Sequence, residues 1–339
     1  MTDINKAISS NEIKNGRSIV KTSINNISAL LSNLTKTINL TDIQSKYDNK
    51  FDDANYYGGS LSNYFVTIGY NSDKISASVD GIVWTEYDLP ATRGWTGIES
   101  GNNKIIACAY NSRYGARTSQ INSWSENDFG AQKNWQNIFY GDNKFVTLAD
   151  STNIAVYSST GDIWTSANLP ATAVWKTGAY GNGLYVALAE NSAVAATSTN
   201  AQTWTQRTLP LSDNWKSVVY GDKFVAIARN SDKAIYSSDG INWNQTTLPN
   251  QRLWNSIAYG NGKYVAVAES SQFMAVSSDG INWSEYYTLY GQWKIITYGN
   301  SKNIFVAITD GPIAGTSTDG ISWTQRSISN RSWYDITTT

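Results

Sequence analysis

The sequence predicts an all-β protein built from a repeated four-stranded unit, and three observations support this prediction. All 14 tryptophans fall into two ladders with steps of 39 or 40 residues. Each repeat contains short runs of β-forming residues separated by Gly, Asn and Asp turns. The last residues of the chain read as a strand that the first repeat lacks. Antiparallel units of this length that close on themselves form a β-propeller, and the repeats predict seven four-stranded blades.

The tryptophans recur at two fixed positions of the repeat. The first ladder comprises Trp84, Trp124, Trp164, Trp204, Trp243, Trp283 and Trp323, and the second comprises Trp95, Trp135, Trp175, Trp215, Trp254, Trp293 and Trp333. A residue that returns at the same place in every unit is typical of a structural framework. We therefore expect both ladders to pack the blades rather than to bind ligand.

One repeat illustrates the four predicted strands. Residues 254–259, 264–268 and 274–277 are rich in β-forming side chains, and a fourth strand follows Trp283. Between the last two strands, Asp279-Gly280 supplies the positive φ angles that a tight hairpin requires. The same Asp-Gly pair recurs in other repeats, so we interpret its aspartate as a turn residue rather than a catalytic one.

The two ends of the repeat region predict a closed ring. The first repeat begins at its second strand, residues 64–68, and residues 333–339 supply its missing first strand. Closure of this kind removes an exposed sheet edge. The predicted blades are 57–90 with 333–339, then about 95–130, 135–170, 175–210, 215–249, 254–289 and 293–329. The propeller domain is accordingly assigned to residues 57–339.

Residues 1–56 are predicted to form a short helical or coiled-coil segment that anchors the protein. Apolar residues spaced 4, 3, 4, 3 and 4 apart define a heptad stripe at Val20, Ile24, Ile27, Leu31, Leu34 and Ile38. The stripe is short and rich in poor helix formers, so an isolated helix would be marginal. It requires a partner: further copies of the chain, a host assembly, or its own propeller.

Composition excludes several classes of protein. The net charge is −1, so nothing indicates a basic surface for nucleic acid. The chain contains 0 histidines, which removes the commonest general base and metal ligand. No loop has the spacing of a metal site, and no cofactor is implied. Cys108 stands where other repeats carry aliphatic residues, so we expect a buried side chain. No basic and apolar export signal begins the sequence, and no segment is apolar enough for membrane insertion.

Two segments resemble known families. Residues 277–283, Ser-Ser-Asp-Gly-Ile-Asn-Trp, resemble the Asp-box motif of sialidase-like propellers, although that motif usually has one more residue between Asp and Gly. Residues 38–44, Ile-Asn-Leu-Thr-Asp-Ile-Gln, are similar to N-terminal segments of bacteriophage tail fibres and other virion appendages. The second resemblance implies a protein of the virion, assembled in the host cytoplasm, which is often a trimer and often binds glycans.

Three functions remain open at the level of sequence. The first is a non-enzymatic virion structural protein, a tail or head fibre. Its residues 1–56 would dock to other virion proteins, and its propeller would bind a host-surface glycan, receptor or protein. The second is a free carbohydrate-binding lectin. The third is a sialidase-like glycosidase, which requires clustered arginines and a Tyr–Glu pair. The arginines follow no such plan, so we predict no enzyme activity.

If the propeller binds a ligand, the strand order places it on the face formed by the loops between the second and third strands and between consecutive repeats. Predicted ligand-binding residues in the first of these loops are Asn71, Asn111, Asn191 and Asn230. The second repeat has the longest and richest loop, so Arg113, Tyr114 and Arg117 are the predicted recognition patch. A solvated loop without a ligand is the alternative for all seven residues.

Overall fold

The computed structural model describes residues 61–339. The predicted anchoring segment, the heptad stripe from Val20 to Ile38 and the predicted boundary after residue 56 lie outside the described residues. Within residues 61–339 there is no helix long and apolar enough to cross a membrane. The described chain is a β-propeller of antiparallel sheets, as the repeats predicted.

The strands form one six-stranded sheet and five four-stranded sheets. The six-stranded sheet contains, in chain order, β1 (Phe65–Ser78), β2 (Thr85–Gly101), β3 (Lys104–Ala109), β4 (Ser112–Gln120) and β5 (Ser123–Lys133), with the C-terminal strand β26 (Trp333–Thr338) at its edge. The next sheet contains β6 (Trp135–Gly141), β7 (Lys144–Ala149), β8 (Thr152–Ser158) and β9 (Thr165–Ala173). The sheet after it contains β10 (Trp175–Gly181), β11 (Leu184–Ala189), β12 (Ser192–Ser198) and β13 (Thr205–Asp213).

The remaining three sheets repeat the same order of strands. They are β14 (Trp215–Tyr220), β15 (Phe224–Ala228), β16 (Ser231–Ser237), β17 (Asn244–Arg252); β18 (Trp254–Gly260), β19 (Lys263–Ala268), β20 (Ser271–Ser277), β21 (Ser284–Gly291); and β22 (Trp293–Gly299), β23 (Ile304–Thr309), β24 (Ile313–Ser317), β25 (Thr324–Ser327). In each four-stranded sheet the strands follow one another in chain order.

The prediction of seven separate blades is wrong, because the described chain has six sheets. The difference lies in the first two repeats, which share the six-stranded sheet. β1 pairs with β26 over its first half and with β2 over its second half. β2 continues from β1 to β3 without a break. The pairing of Tyr70 with Gly94 carries the sheet across this joint, whereas the residue at the corresponding position of the later repeats, such as Asn134 or Val174, lies outside any strand.

Closure by the C-terminus is confirmed. β26 pairs antiparallel with β1, with Phe65 opposite Thr338 and Gly69 opposite Trp333. Beyond the strand, the backbone N–H of Thr339 donates to the carbonyl of Tyr64 over 2.9 Å. The first and last described segments of the chain are therefore hydrogen-bonded to each other.

The tryptophans of the second ladder are fully buried, which confirms their structural role. Trp95, Trp135, Trp175, Trp215, Trp254, Trp293 and Trp333 each have 0 % exposed surface. Their indole N–H groups donate to backbone carbonyls; that of Trp95, for example, lies 2.8 Å from the carbonyl oxygen of Ser72. A buried indole that is paired in this way adds apolar area without an unsatisfied donor. Cys108 is likewise buried, as expected.

Aromatic rings of the next repeat pack directly on glycines at the ends of the innermost strands. A Cβ atom added at Gly181 would lie 1.9 Å from the Tyr220 ring, so no larger residue fits without a shift. The same contact is made by Gly101 with Tyr140, Gly141 with Tyr180, Gly221 with Tyr259, Gly260 with Tyr298, and Gly299 with Phe65. The recurring Tyr-Gly pair of the sequence thus locks neighbouring repeats together.

The Asp-Gly turns are held by hydrogen bonds of the aspartate, but they are longer than the predicted tight hairpin. β20 ends at Ser277 and β21 begins at Ser284, and of the Asp-Gly pair only Gly280 has a positive φ, 69°. Asp279 accepts the backbone N–H groups of Ile281 and Asn282 at 2.9 and 2.8 Å. The hydroxyl of Ser277 donates to Asp279 and accepts the N–H of Gly280, each over 2.9 Å. Equivalent networks form at Asp80, Asp239, Asp319 and Asn200. These side chains are therefore occupied by the turn itself.

Polar side chains near the beginning of the innermost strands connect adjacent repeats. Asn137 accepts the N–H of Gly178 over 3.0 Å, and Thr177 accepts that of Val218 over 3.1 Å. Asp335 plays the same part, accepting the N–H of Ile98 over 2.9 Å. These bonds surround the central channel, and one of the acceptors is a carboxyl group rather than a neutral one.

Candidate functional site

A groove lies on the predicted binding face, between the first two repeats. Its volume is about 370 Å³. Three segments of the six-stranded sheet form its walls: the middle of β1, the middle of β2 and the turn before β4. The lining residues are Tyr70, Asn71, Thr92, Arg93, Gly94, Tyr110, Asn111 and Ser112.

The two asparagines of the groove both have a left-handed backbone, Asn71 within β1 and Asn111 in the turn before β4. Asn71 and Asn111 have φ angles of 50° and 49°, a left-handed conformation that asparagine tolerates better than most residues. The preceding tyrosines are fixed by their backbones, since the N–H of Tyr70 and that of Tyr110 each donate to a carbonyl oxygen over 2.7 Å. Tyr110 is 43 % exposed, so part of its ring is free to contact a ligand.

Arg93 is the charged residue of the groove. One end of its guanidinium is ion-paired with Glu126. Its Cζ atom lies 5.6 Å from the centre of the Tyr114 ring and 5.8 Å from that of Trp95. Its Nη1 atom is buried and donates to no described residue. Within residues 61–339 this buried amino group therefore has no acceptor, and unsatisfied buried donors are rare in folded proteins.

Two of the three residues predicted as a recognition patch lie beside this groove. Arg113 makes a two-pronged ion pair with Asp128, with N–O distances of 2.8 and 2.7 Å. Hydrogen bonding to Arg113 lowers the pKa of Asp128 below its usual range. Tyr114 is 37 % exposed and contacts Arg113 on one side and Arg93 on the other. The patch is therefore held in place before any ligand arrives.

The remaining predicted residues do not join this group. Arg117 points toward the Asp-Gly turns and is ion-paired with Asp162, which also binds Lys104. Asn191 and Asn230 occupy the same turn position as Asn111 but in other sheets, with φ angles of 53° and 56°. Their positive φ angles account for asparagine at these positions without a ligand.

Sequence reasoning missed Tyr70, Thr92, Arg93 and Tyr110. The signal was present, because the loops between repeats were placed on the same face as the loops between second and third strands. Thr92 and Arg93 lie in the loop between the first two repeats, and Tyr70 and Tyr110 directly precede the predicted Asn71 and Asn111. No group of three or more potential metal ligands occurs among residues 61–339.

One protein-family model matches part of the chain. The model of a family described as a DUF6242 beta propeller domain matches residues 176–292, roughly a third of the sequence. This segment contains three adjacent four-stranded sheets, from β10 to β21. No curated protein sequence matches the chain.

Solved structures share the fold at low sequence identity. A structure described as streptogramin B lyase is 14 % identical, with a TM-score of 0.66, and covers 82 % of this chain and 93 % of its own. Virginiamycin B lyase from Staphylococcus aureus is 11 % identical, with a TM-score of 0.62 and coverage of 70 % and 85 %. YCF48 bound to D1 peptide is 14 % identical, with a TM-score of 0.58 and coverage of 74 % and 89 %. These similarities establish the propeller fold alone.

Proposed function

We propose that the chain is a non-enzymatic attachment protein whose propeller binds a surface saccharide in the groove between Tyr70 and Tyr110. The observation that carries this proposal is the composition of the groove. Tyrosine rings offer apolar faces to the C–H bonds of a sugar, and asparagine, threonine and arginine offer hydrogen-bond partners for its hydroxyls. A few polar groups on a preformed concave surface are typical of small-ligand sites.

The state of the charged residues supports a binding role over catalysis. A sialidase-like site requires several arginines free to hold one carboxylate. Here six arginines each have a carboxylate partner: Arg93 with Glu126, Arg113 with Asp128, Arg117 with Asp162, Arg229 with Glu269, Arg252 with Glu285 and Arg331 with Glu86. Arg93, Arg113 and Arg117 belong to the six-stranded sheet, but they pair with three different carboxylates. Each already has its own counter-ion, so none of these six is left to gather around a substrate.

Comparison with the structurally similar lyases also favours a binding role over catalysis. One of their solved structures is described as catalytically inactive after a histidine was replaced by alanine. This chain contains 0 histidines, so it lacks the residue type that the lyase loses in that inactive variant. Shared fold therefore does not bring lyase activity with it.

The proposed setting is a virion, in which residues 1–56 dock to other virion proteins and form homo-oligomers, with a trimer favoured. This part of the proposal rests on the sequence of the segment. Its test is the solution mass of the full chain beside a chain of residues 57–339. A trimer that becomes a monomer on truncation supports assembly through residues 1–56, and two monomers contradict it.

Saccharide binding is tested by applying the labelled full chain to an array of bacterial-surface and animal glycans. We expect a defined set of glycans to bind, and Tyr110→Ala to weaken that binding by about tenfold or more, as loss of a central aromatic contact does. Tyr287→Ala is the matched control, because Tyr287 is 71 % exposed and does not line the groove. Absence of binding to every glycan, or equal binding by the Tyr110 variant, would refute the proposal.

A further inference from the structure

A second cavity lies where the innermost strands surround the channel of the propeller. Its volume is about 90 Å³, several times the roughly 10–15 Å³ that one water requires. Lys176, Lys216 and Lys294 all line it, each as the residue that follows the buried tryptophan of its strand. The cavity therefore has room for a small polyatomic ion and places three amines around it.

Two of the three lysines have partners of their own. The ammonium of Lys176 donates to the side-chain carbonyl of Gln136 over 2.8 Å. Lys294 binds Glu269 over 2.8 Å, and Glu269 is shared with Arg229. Burial alone would raise the pKa of Glu269, but the hydrogen bonds from Arg229 and Lys294 outweigh it and lower the pKa to about 2. Glu269 thus pairs with two cations, and the ammonium of Lys294 also lies 3.9 Å from a carboxylate oxygen of Asp310.

Lys216 has no hydrogen-bond or ion-pair partner among residues 61–339. Its pKa is lowered to about 7, mainly by burial in the channel and also by the neighbouring charges of Lys176, Arg229 and Lys294, against the opposing effect of Glu190. A charged amine that is both desolvated and surrounded by like charges is costly unless an anion accompanies it.

The carboxyl group that faces the same cavity is already engaged. The two oxygens of Asp335 accept the N–H groups of Ile98 and Ile336, each over 2.9 Å. Burial also raises the pKa of Asp335 to about 7, so near neutral pH this group is often uncharged. Asp335 therefore neither neutralises the three lysines fully nor strongly repels an incoming anion.

We propose that this channel cavity is a binding site for a small oxyanion, held by the ammonium groups of Lys176, Lys216 and Lys294. Sulfate, phosphate and the carboxylate of a larger ligand share the required chemistry, because each offers several acceptor oxygens to primary amines. The site is separate from the groove and does not rest on saccharide binding.

The test is calorimetric titration of the full chain with sodium sulfate, sodium phosphate and sodium acetate near pH 7. In the absence of anion, a large fraction of Lys216 is neutral at that pH; a bound anion favours the ammonium form, so binding is accompanied by proton uptake. Sulfate remains fully ionised, and titration in two buffers of different ionisation enthalpy therefore counts the protons taken up by the protein.

We expect Lys216→Met to weaken anion binding by about tenfold or more and to reduce proton uptake, the remainder coming from Asp335, which lines the same cavity and whose pKa is also raised to about 7. Lys144→Gln is the matched control, because Lys144 is paired with Asp142 over 3.0 Å and does not line the cavity. Circular dichroism verifies the fold of each variant, and Lys176→Met serves as a second test if Lys216→Met does not fold.

The three anions distinguish the sources of the oxyanion. Binding of sulfate and phosphate alone supports a free inorganic ion, and binding of acetate supports the carboxylate of a larger ligand. Failure of the wild-type chain to bind any of the three in the millimolar range overturns the proposal. Equal binding by the lysine variants and the control overturns it as well.

Discussion

Asp335 shows how one residue position can carry a pH dependence for the whole domain. In neighbouring strands the equivalent acceptors are neutral, for example Asn137 and Thr177. Burial raises the pKa of Asp335 from its ordinary value to about 7. It also raises the pKa of the nearby Glu99 carboxyl to about 7. Protonation is therefore easier in the folded protein than in the unfolded chain.

The resulting prediction concerns Asp335→Asn. Because the folded pKa is raised, the wild-type stability falls as pH increases from about 4 to about 7 and stays low above that range. The variant lacks this contribution, so its stability relative to wild type should increase by roughly 2 kcal/mol between about pH 5 and pH 8. Urea unfolding at the two pH values measures the change. Exposed Asp73→Asn should show no such trend, and an equal trend in both variants would refute burial of the Asp335 carboxyl as its cause.

The turn aspartates give a second prediction at the residue scale. Backbone N–H donation from Asn282 holds the pKa of Asp279 below its ordinary value, and the N–H of Ile281 adds to the effect. Asp279→Ala leaves these donors without their acceptor and should cost about 1–2 kcal/mol of unfolding free energy. Asp279→Asn should cost much less, because Asn200 accepts the same two N–H bonds in its own turn. Equal losses for both variants in thermal or urea unfolding would show that this acceptor is unimportant.

Residue roles were predictable from sequence where the residue repeats. The tryptophans and the turn aspartates recur in most or all repeats, so their structural role was visible in the ladders alone. Tyr110 and Arg93 are particular to one place in the ring, and both line the groove only because two loops far apart in the sequence converge there. The number of residues between two loops does not indicate whether they lie side by side in the folded protein.

At the scale of the element, the innermost strands of neighbouring sheets are held together by aromatic rings that pack on glycines. Within residues 61–339 these strands are not paired with each other by backbone hydrogen bonds. The ring of Tyr220 packs so closely on Gly181 that a Cβ atom there would overlap it. The φ angle of Gly181 is not in the left-handed region, so the constraint is steric. The same strand end is followed by Gly183, whose φ is +74° and which has open space around it.

These two glycines form a matched pair for mutation. Gly181→Ala should destabilise the protein by about 1–3 kcal/mol through overpacking against the tyrosine ring. Gly183→Asn should change stability little, because asparagine tolerates positive φ and nothing lies nearby. Thermal unfolding of both variants beside wild type measures the difference. A larger loss at Gly183 than at Gly181 would contradict the packing argument.

Element types and their order were predictable, but their division into sheets was not. The repeat length and the turn residues identify the strands. Whether two repeats remain separate depends on one linking residue, and at Gly94 that residue pairs with Tyr70 and continues the strand. A hydrogen bond between residues more than 20 positions apart has no periodic signature, so the expected count of seven blades was wrong.

For the whole molecule, closure by β26 is the feature on which the ring depends. Deletion of residues 333–339 removes the strand paired with β1 and exposes that edge together with a cavity at the buried Trp333. We expect loss of cooperative unfolding, or aggregation through the open edge. Circular dichroism and size-exclusion chromatography measure both effects. A permuted chain with residues 333–339 placed before residue 61 should recover the fold, and normal folding of the deleted chain would show that the ring does not depend on β26.

The groove is the central claim, and amide hydrogen exchange with and without a saccharide selected from the array tests it most directly. We predict slower exchange in residues 70–71, 92–94 and 110–114 when the saccharide is bound, with no change at the Asp-Gly turns on the opposite face. Protection confined to other loops, or no protection at a saturating concentration, would contradict the placement of the binding site.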